Sequence, residues 1–227
     1  MIRILFFAFT ALVLYAQTTT LVKVEKNRGI IEPVALPTGT SGIVVHHYDK
    51  SHASIVARAI LEKSNQIRFE VFDALAQEAL PKPKTLPASS DEVILGYLYD
   101  RATIIAPNLT TYQQIAKEVQ EEILHPDLFA TELSKAKHPA PSYEDFKNFC
   151  NKYALAKIYL ALKDEVAIVD CYSFEKIDAL PLYSRSKKVK LPFYSRIKEI
   201  ETSIFDFFGT KEIDNYYSYY KKLLEKR

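Results

Sequence analysis

At Pro107 the hydrophobic period of this chain changes from two to 3.6. Alternation with period two builds strands with one buried face, and recurrence every three or four residues builds helices with one apolar stripe. A chain that carries the two patterns in succession is α+β: a β-rich, barrel-like N-terminal domain, then helices on a sheet. In the first half, Leu21-Val22-Lys23-Val24-Glu25 alternates apolar with charged, and Asn27-Arg28-Gly29 turns the chain into Ile30-Ile31. Ile43-Val44-Val45 follows the glycine-bracketed Gly39-Thr40-Ser41-Gly42. Ser54 to Lys63 and Gln66 to Phe72 flank Ser64-Asn65 as a hairpin, and Val93 to Tyr99 and Ala102 to Ala106 flank Asp100-Arg101 in the same way. Short, hairpin-linked strands of this kind close into a small barrel or curled sheet. Pro81 to Pro87, with three prolines, reads as an extended surface loop.

Beyond Pro107, Thr111 with Gln114 forms a capping-box pattern, and Tyr112, Ile115, Val119 and Ile123 share a helix face. His125 reads as the cap of a second helix with Pro126 in its first turn, where proline is tolerated best, followed by Leu128, Phe129 and Leu133. Ser142 opens a third, with Tyr143, Phe146, Cys150 and Tyr153 on its inner side. Two apolar strands, Leu155–Leu162 and Val166–Cys171, turn at Lys163-Asp164. Two helices close the chain. Ile197, Ile200, Ile204 and Phe208 stripe the first, which stops at Gly209. Ile213, Tyr217, Tyr220 and Leu224 stripe the last, whose cluster Tyr216, Tyr217, Tyr219 and Tyr220 reads as packing. The organisation is therefore a segment 1–16, a β-rich domain 17–106, an α/β domain 107–190 and a helical segment 191–227.

The first segment has its own logic. Arg3 precedes twelve uncharged residues, Ile4 to Tyr15, and Ala16 ends the run before Gln17. A secretory h-region takes about 7–15 residues, whereas a membrane-spanning helix takes about 20. The run thus reads as a removable signal peptide cut after Ala16, and it directs the chain to the cell surface or outer membrane, with the periplasm as the alternative. The remaining chain has no second run of spanning length. In an oxidising compartment the two cysteines, Cys150 and Cys171, make one disulfide the default, with a metal pair or two buried thiols as alternatives. A formal charge of +2 is too near neutrality for a dedicated nucleic-acid binder.

Chemistry-bearing patterns are few. Gly39-Thr40-Ser41-Gly42 lacks the second glycine of a nucleophile elbow and precedes a strand, so it reads as a turn. His46 and Tyr48 fall on one face of a strand and His47 and Asp49 on the other, so the His46-His47-His52 cluster diverges and reads as exposed polar residues rather than a metal site. No paired carboxylates, Ser/His/Asp order, phosphate loop or metal signature stands out. The expectation is a non-enzymatic binding or assembly component without cofactor or metal. Cations gather twice: Arg185, Lys187, Lys188 and Lys190 in a loop between Pro181 and Pro192, and Lys221, Lys222, Lys226 and Arg227 in the last turns of the final helix, where they complement its dipole.

Five segments, spread in order over most of the chain, resemble the N-terminal domain of a bacterial plasminogen-binding surface-protein family. They are Ile105-Ala106-Pro107-Asn108 with Tyr112, Cys150-Asn151, Asp170-Cys171-Tyr172-Ser173-Phe174-Glu175, Pro192-Phe193-Tyr194-Ser195-Arg196 and Tyr216-Tyr217-Ser218-Tyr219-Tyr220. The resemblance implies an adhesin-like role, the capture of host plasminogen through its lysine-binding kringle modules. A kringle's acidic, aromatic cleft takes a lysine ammonium with cation–π help, and a cationic end takes a free carboxylate. Lys221, Lys222, Lys226 and Arg227 would present those charges. The other reading, from a different class, is a structural or assembly protein of the cell envelope.

Overall fold

The computed structural model describes residues 16–73, 85–182, 188–197 and 213–225. Residues 1–15 of the expected signal segment 1–16, most of the proline-rich loop and residues 198–208 of the expected Ile197–Phe208 helix lie outside the described residues. The architecture is α+β. Six strands, β1 (Gln17–Glu25), β2 (Arg28–Ile31), β3 (Ser41–His47), β4 (Ala53–Lys63), β5 (Gln66–Glu70) and β6 (Glu92–Leu95), close into a barrel in the order β1-β2-β5-β4-β3-β6. All its pairs are antiparallel. Leu21, Ile31, Val44, Leu61, Ile67 and Val93 fill its interior. Gly42 is where β3 presses on β6: a Cβ there would lie 2.2 Å from the Ile94 carbonyl oxygen, so no side chain fits.

A second sheet runs β11-β10-β9-β7-β8, from β7 (Arg101–Ile105), β8 (Glu122–Leu124), β9 (Lys157–Ala161), β10 (Glu165–Asp170) and β11 (Lys176–Pro181). β7 is parallel to both β8 and β9, and the β9-β10-β11 meander is antiparallel. Helix α1 (Leu109–Glu118) links β7 to β8, and α2 (Pro126–Ala136) and α3 (Tyr143–Tyr153) link β8 to β9. α4 (Tyr216–Glu225) packs last. Phe129, Phe146, Phe149 and Phe193 form an aromatic knot under the sheet, with centroids 4.6–5.4 Å apart around Phe129. Ile60 of the barrel wall belongs to this larger core, which joins the two sheets into one packed body.

Four local expectations are corrected. Val93–Tyr99 and Ala102–Ala106 do not form a hairpin: β6 ends at Leu95, Gly96 takes φ +72°, and the chain leaves the barrel through a turn to β7 in the other sheet. The cap of α1 is Asn108, whose side chain accepts from the Thr111 amide at 2.9 Å, so Thr111 is the third helical residue and not the cap. The helix stops at Glu118, and Ile123 sits in β8. On α4 the buried pair is Tyr216 and Tyr220 rather than Tyr217 and Tyr220. Ser142 and His125 do cap α3 and α2, with Pro126 opening α2. Among the described residues no helix is long and apolar enough to cross a membrane.

Candidate binding surface

α4 is held by its tyrosines. Asn215 opens it, its side chain accepting from the Ser218 amide at 3.0 Å. Tyr216 donates its hydroxyl to the Ile105 carbonyl at 2.9 Å, Tyr220 to that of Pro192 at 3.1 Å, and Tyr219 to that of Pro141 at 2.9 Å. Burial pushes the Tyr216 and Tyr220 hydroxyls well above the usual phenol range, so both remain neutral donors. With one side of the helix anchored in this way, Lys221 and Lys222 face solvent. The Lys221 side chain is 71% exposed and its Nζ lies 3.8 Å from Glu225 Oε1, a contact too open to fix it in place. Lys226 and Arg227 lie outside the described residues. Tyr217, Lys221 and Leu224 border an open groove of about 810 Å³ whose far wall is the β9–β10 turn, Leu162 to Glu165.

The other candidates separate cleanly. His46 Nδ1 sits 2.7 Å from Asp91 Oδ1, His47 Nε2 3.1 Å from Glu92 Oε2, and His52 Nδ1 2.8 Å from Asp49 Oδ2. Each imidazole thus has its own carboxylate, and among the described residues no group of three or more ligands could hold a metal ion. Gly39, at φ +85°, makes the expected turn into β3. Lys188 and Lys190 are the described cations of the basic loop, and the Lys190 ammonium is spent on the Ser195 carbonyl at 2.6 Å. Glu121, half-buried, pairs with the buried Lys157 and accepts from the Tyr159 hydroxyl at 2.6 Å. Burial pushes its carboxyl up, but the bonds to Lys157 and Tyr159 outweigh that and hold it below the usual range. Cys150 and Cys171 are joined, with Cα atoms 6.1 Å apart.

Three of the five segments singled out in the sequence meet at the carboxyl ends of β7 and β8. Tyr194 donates its amide to the Ala106 carbonyl at 2.7 Å. Its ring lies 5.5 Å from Tyr112 and 6.1 Å from His125. Arg196 donates backbone and side chain to Asp127 in the first turn of α2. Tyr216 and Tyr220 reach the same place from α4. The other two segments, around Cys150 and Cys171, converge on a second point, where Arg58 of β4 lies against Tyr172 and bonds Asn151. Neither assembly was visible in the sequence, because each joins residues from distant elements.

No solved structure matches the chain. Two curated relatives do, both plasminogen-binding proteins PgbA of Helicobacter pylori, from strains J99 and 26695. Each is 28% identical over 197 residues, covering 84% of this chain and 43% of the relative. The chain therefore spans less than half the length of the curated relatives it matches. A family model described as the plasminogen-binding protein pgbA N-terminal region matches residues 16–224, from the residue before β1 into the last turn of α4. On that match, the chain belongs to the pgbA N-terminal family.

Proposed function

We propose that this chain is a non-enzymatic binding module at the cell surface that captures host plasminogen through lysine side chains, with Lys221 and Lys222 of α4 as the described contacts and Lys226 and Arg227 as their continuation. The observation that supports it is the family match across 16–224, joined to the exposure of the α4 lysines on a helix rigidly seated by Tyr216 and Tyr220. A seated helix presents its cations at little further entropic cost to binding. A kringle cleft that takes an ammonium between aromatic rings and carboxylates is the matching surface.

The test is binding of the purified chain to immobilised plasminogen. Binding is expected to be weak, to fall with salt because exposed charges are screened within about 10 Å at 0.1 M, and to be competed by a free lysine analogue. Changing Lys221 and Lys222 together to Ala lowers affinity severalfold with the thermal transition unchanged, and a lysine appended after Arg227 raises it. Binding that ignores the analogue would move the contact to another surface, with Arg185–Lys190 the next to mutate. No binding at all would favour a structural role in the envelope.

A further inference from the structure

The chain neighbours of the disulfide carry polar contacts between the barrel and the second sheet. Asp170, immediately before Cys171, is fully buried. Its Oδ2 accepts from the amide of Ser41 at 3.0 Å, the hydroxyl of Ser41 at 2.5 Å and the hydroxyl of Tyr99 at 2.7 Å. Its Oδ1 accepts from the amides of Tyr172 and Ser173 at 2.8 and 2.7 Å. Ser41 opens β3 of the barrel, so one carboxylate ties the two sheets. Tyr172, immediately after Cys171, receives the buried guanidinium of Arg58 from β4, 3.3 Å above its ring centroid. The same guanidinium donates to Asn151 at 3.2 Å, and Asn151 immediately follows Cys150. Arg58 therefore rests on a seat with two halves, one from each side of the bond.

We propose that the Cys150–Cys171 bond is a redox-sensitive latch for the barrel. Closed, it holds the end of α3 against the end of β10, so that Asn151 and Tyr172 form one seat for Arg58 while Asp170 holds Ser41. A dithiol opens it: the S–S bond breaks, each sulfur takes one electron and one proton, and the dithiol becomes a disulfide. The two halves of the seat then part, and the barrel loosens from the sheet while each keeps its own apolar core. Both cysteines are completely buried, so a reductant reaches the bond only when the seat opens. The coupling is reciprocal: what the bond does for the seat, the seat does for the bond.

That reciprocity supplies the experiment. The oxidised chain is exposed to dithiothreitol under folding conditions and thiol appearance is followed, for wild type, Arg58→Ala and a barrel-core control, Ile67→Val. Arg58→Ala is expected to be reduced about tenfold faster, within the usual range for coupled sites, and the control at the wild-type rate. Arg58→Lys, which keeps the charge and loses the planar stack, falls between and serves if the alanine variant does not fold. In the reduced wild type, hydrogen exchange at the Ser41, Tyr172 and Ser173 amides is expected to rise about tenfold more than at the centres of β5 and β9, which report global opening. Equal reduction rates for wild type and both Arg58 variants, or a uniform rise in exchange across barrel and sheet, would overturn the latch.

Discussion

The first turn of α2 hangs on a neutral imidazole. His125 Nδ1 accepts from the Asp127 amide at 3.2 Å, which a protonated ring cannot do. Burial first, and then the Arg196 charge, hold its pKa below the usual value, against the opposing pull of Asp127. A folded pKa lower than the unfolded one gives stability that is present above about pH 6.5 and is lost as pH falls through the lowered value. Lowering the pH from 8 to 5 should therefore cost wild type more unfolding free energy than it costs His125→Asn, whose cap does not titrate; an equal loss in both would remove His125 from the acid response. The His-Pro pair made this cap legible in the sequence. Asn108 was not, because Thr111 and Gln114 imitate a capping box three residues downstream. The cysteines also act at this scale. Closing a loop of this length is worth about 3 kcal/mol in the chain-entropy model, so Cys171→Ser should still fold but melt about 6–12 °C lower. Identical melting of the wild type with and without reductant would argue against the bond.

At the scale of elements, the strands and helices that the sequence outlines are mostly those that form, and the errors fall where two patterns overlap. Val93–Ala106 alternates on both sides of Asp100-Arg101 and looks like one hairpin, yet Gly96 sends its two halves to different sheets. On α4, any of three tyrosines could start an apolar stripe, and periodicity alone does not say which face docks. Hydrogen bonding decides it: the hydroxyls of Tyr216 and Tyr220 find the carbonyls of Ile105 and Pro192. Tyr216→Ala should cost about 3–5 kcal/mol, the usual range for deleting a buried aromatic, whereas Tyr217→Ala should cost about 1 kcal/mol. Urea denaturation measures both, and a larger loss at Tyr217 would restore the stripe read from the sequence. The same pair of variants bears on function, since loss of Tyr216 unseats the helix that carries Lys221 and Lys222.

At the scale of the molecule, each core is written locally in the sequence but their union is not. Ser41 and Asp170 stand 129 residues apart, and Arg58 and Asn151 stand 93 apart. No window of the sequence holds both ends of such a contact, and the residues involved read as an ordinary turn, a strand charge and a strand end. Apart from their cysteines, Cys150-Asn151 and Asp170 to Glu175 stood out only through a family resemblance, and the structure supplies the physical reason: they are where barrel and sheet meet. The N-terminus poses the complementary question of how much chain the fold needs. β1 begins at Gln17, directly after the expected cleavage point, and its first residues pair with β6: Gln17 with Leu95, Thr18 with Ile94, Thr19 with Val93. A cut after Ala16 therefore leaves β1 whole, while a cut beyond Thr20 would strip β6 of its β1 partner and open the barrel. We expect intact-mass measurement on protein recovered from the native envelope to find a chain beginning at Gln17. A chain retaining Met1 would refute removal of the segment, and one beginning beyond Thr20 would mean that the barrel tolerates an open seam between the remainder of β1 and β6.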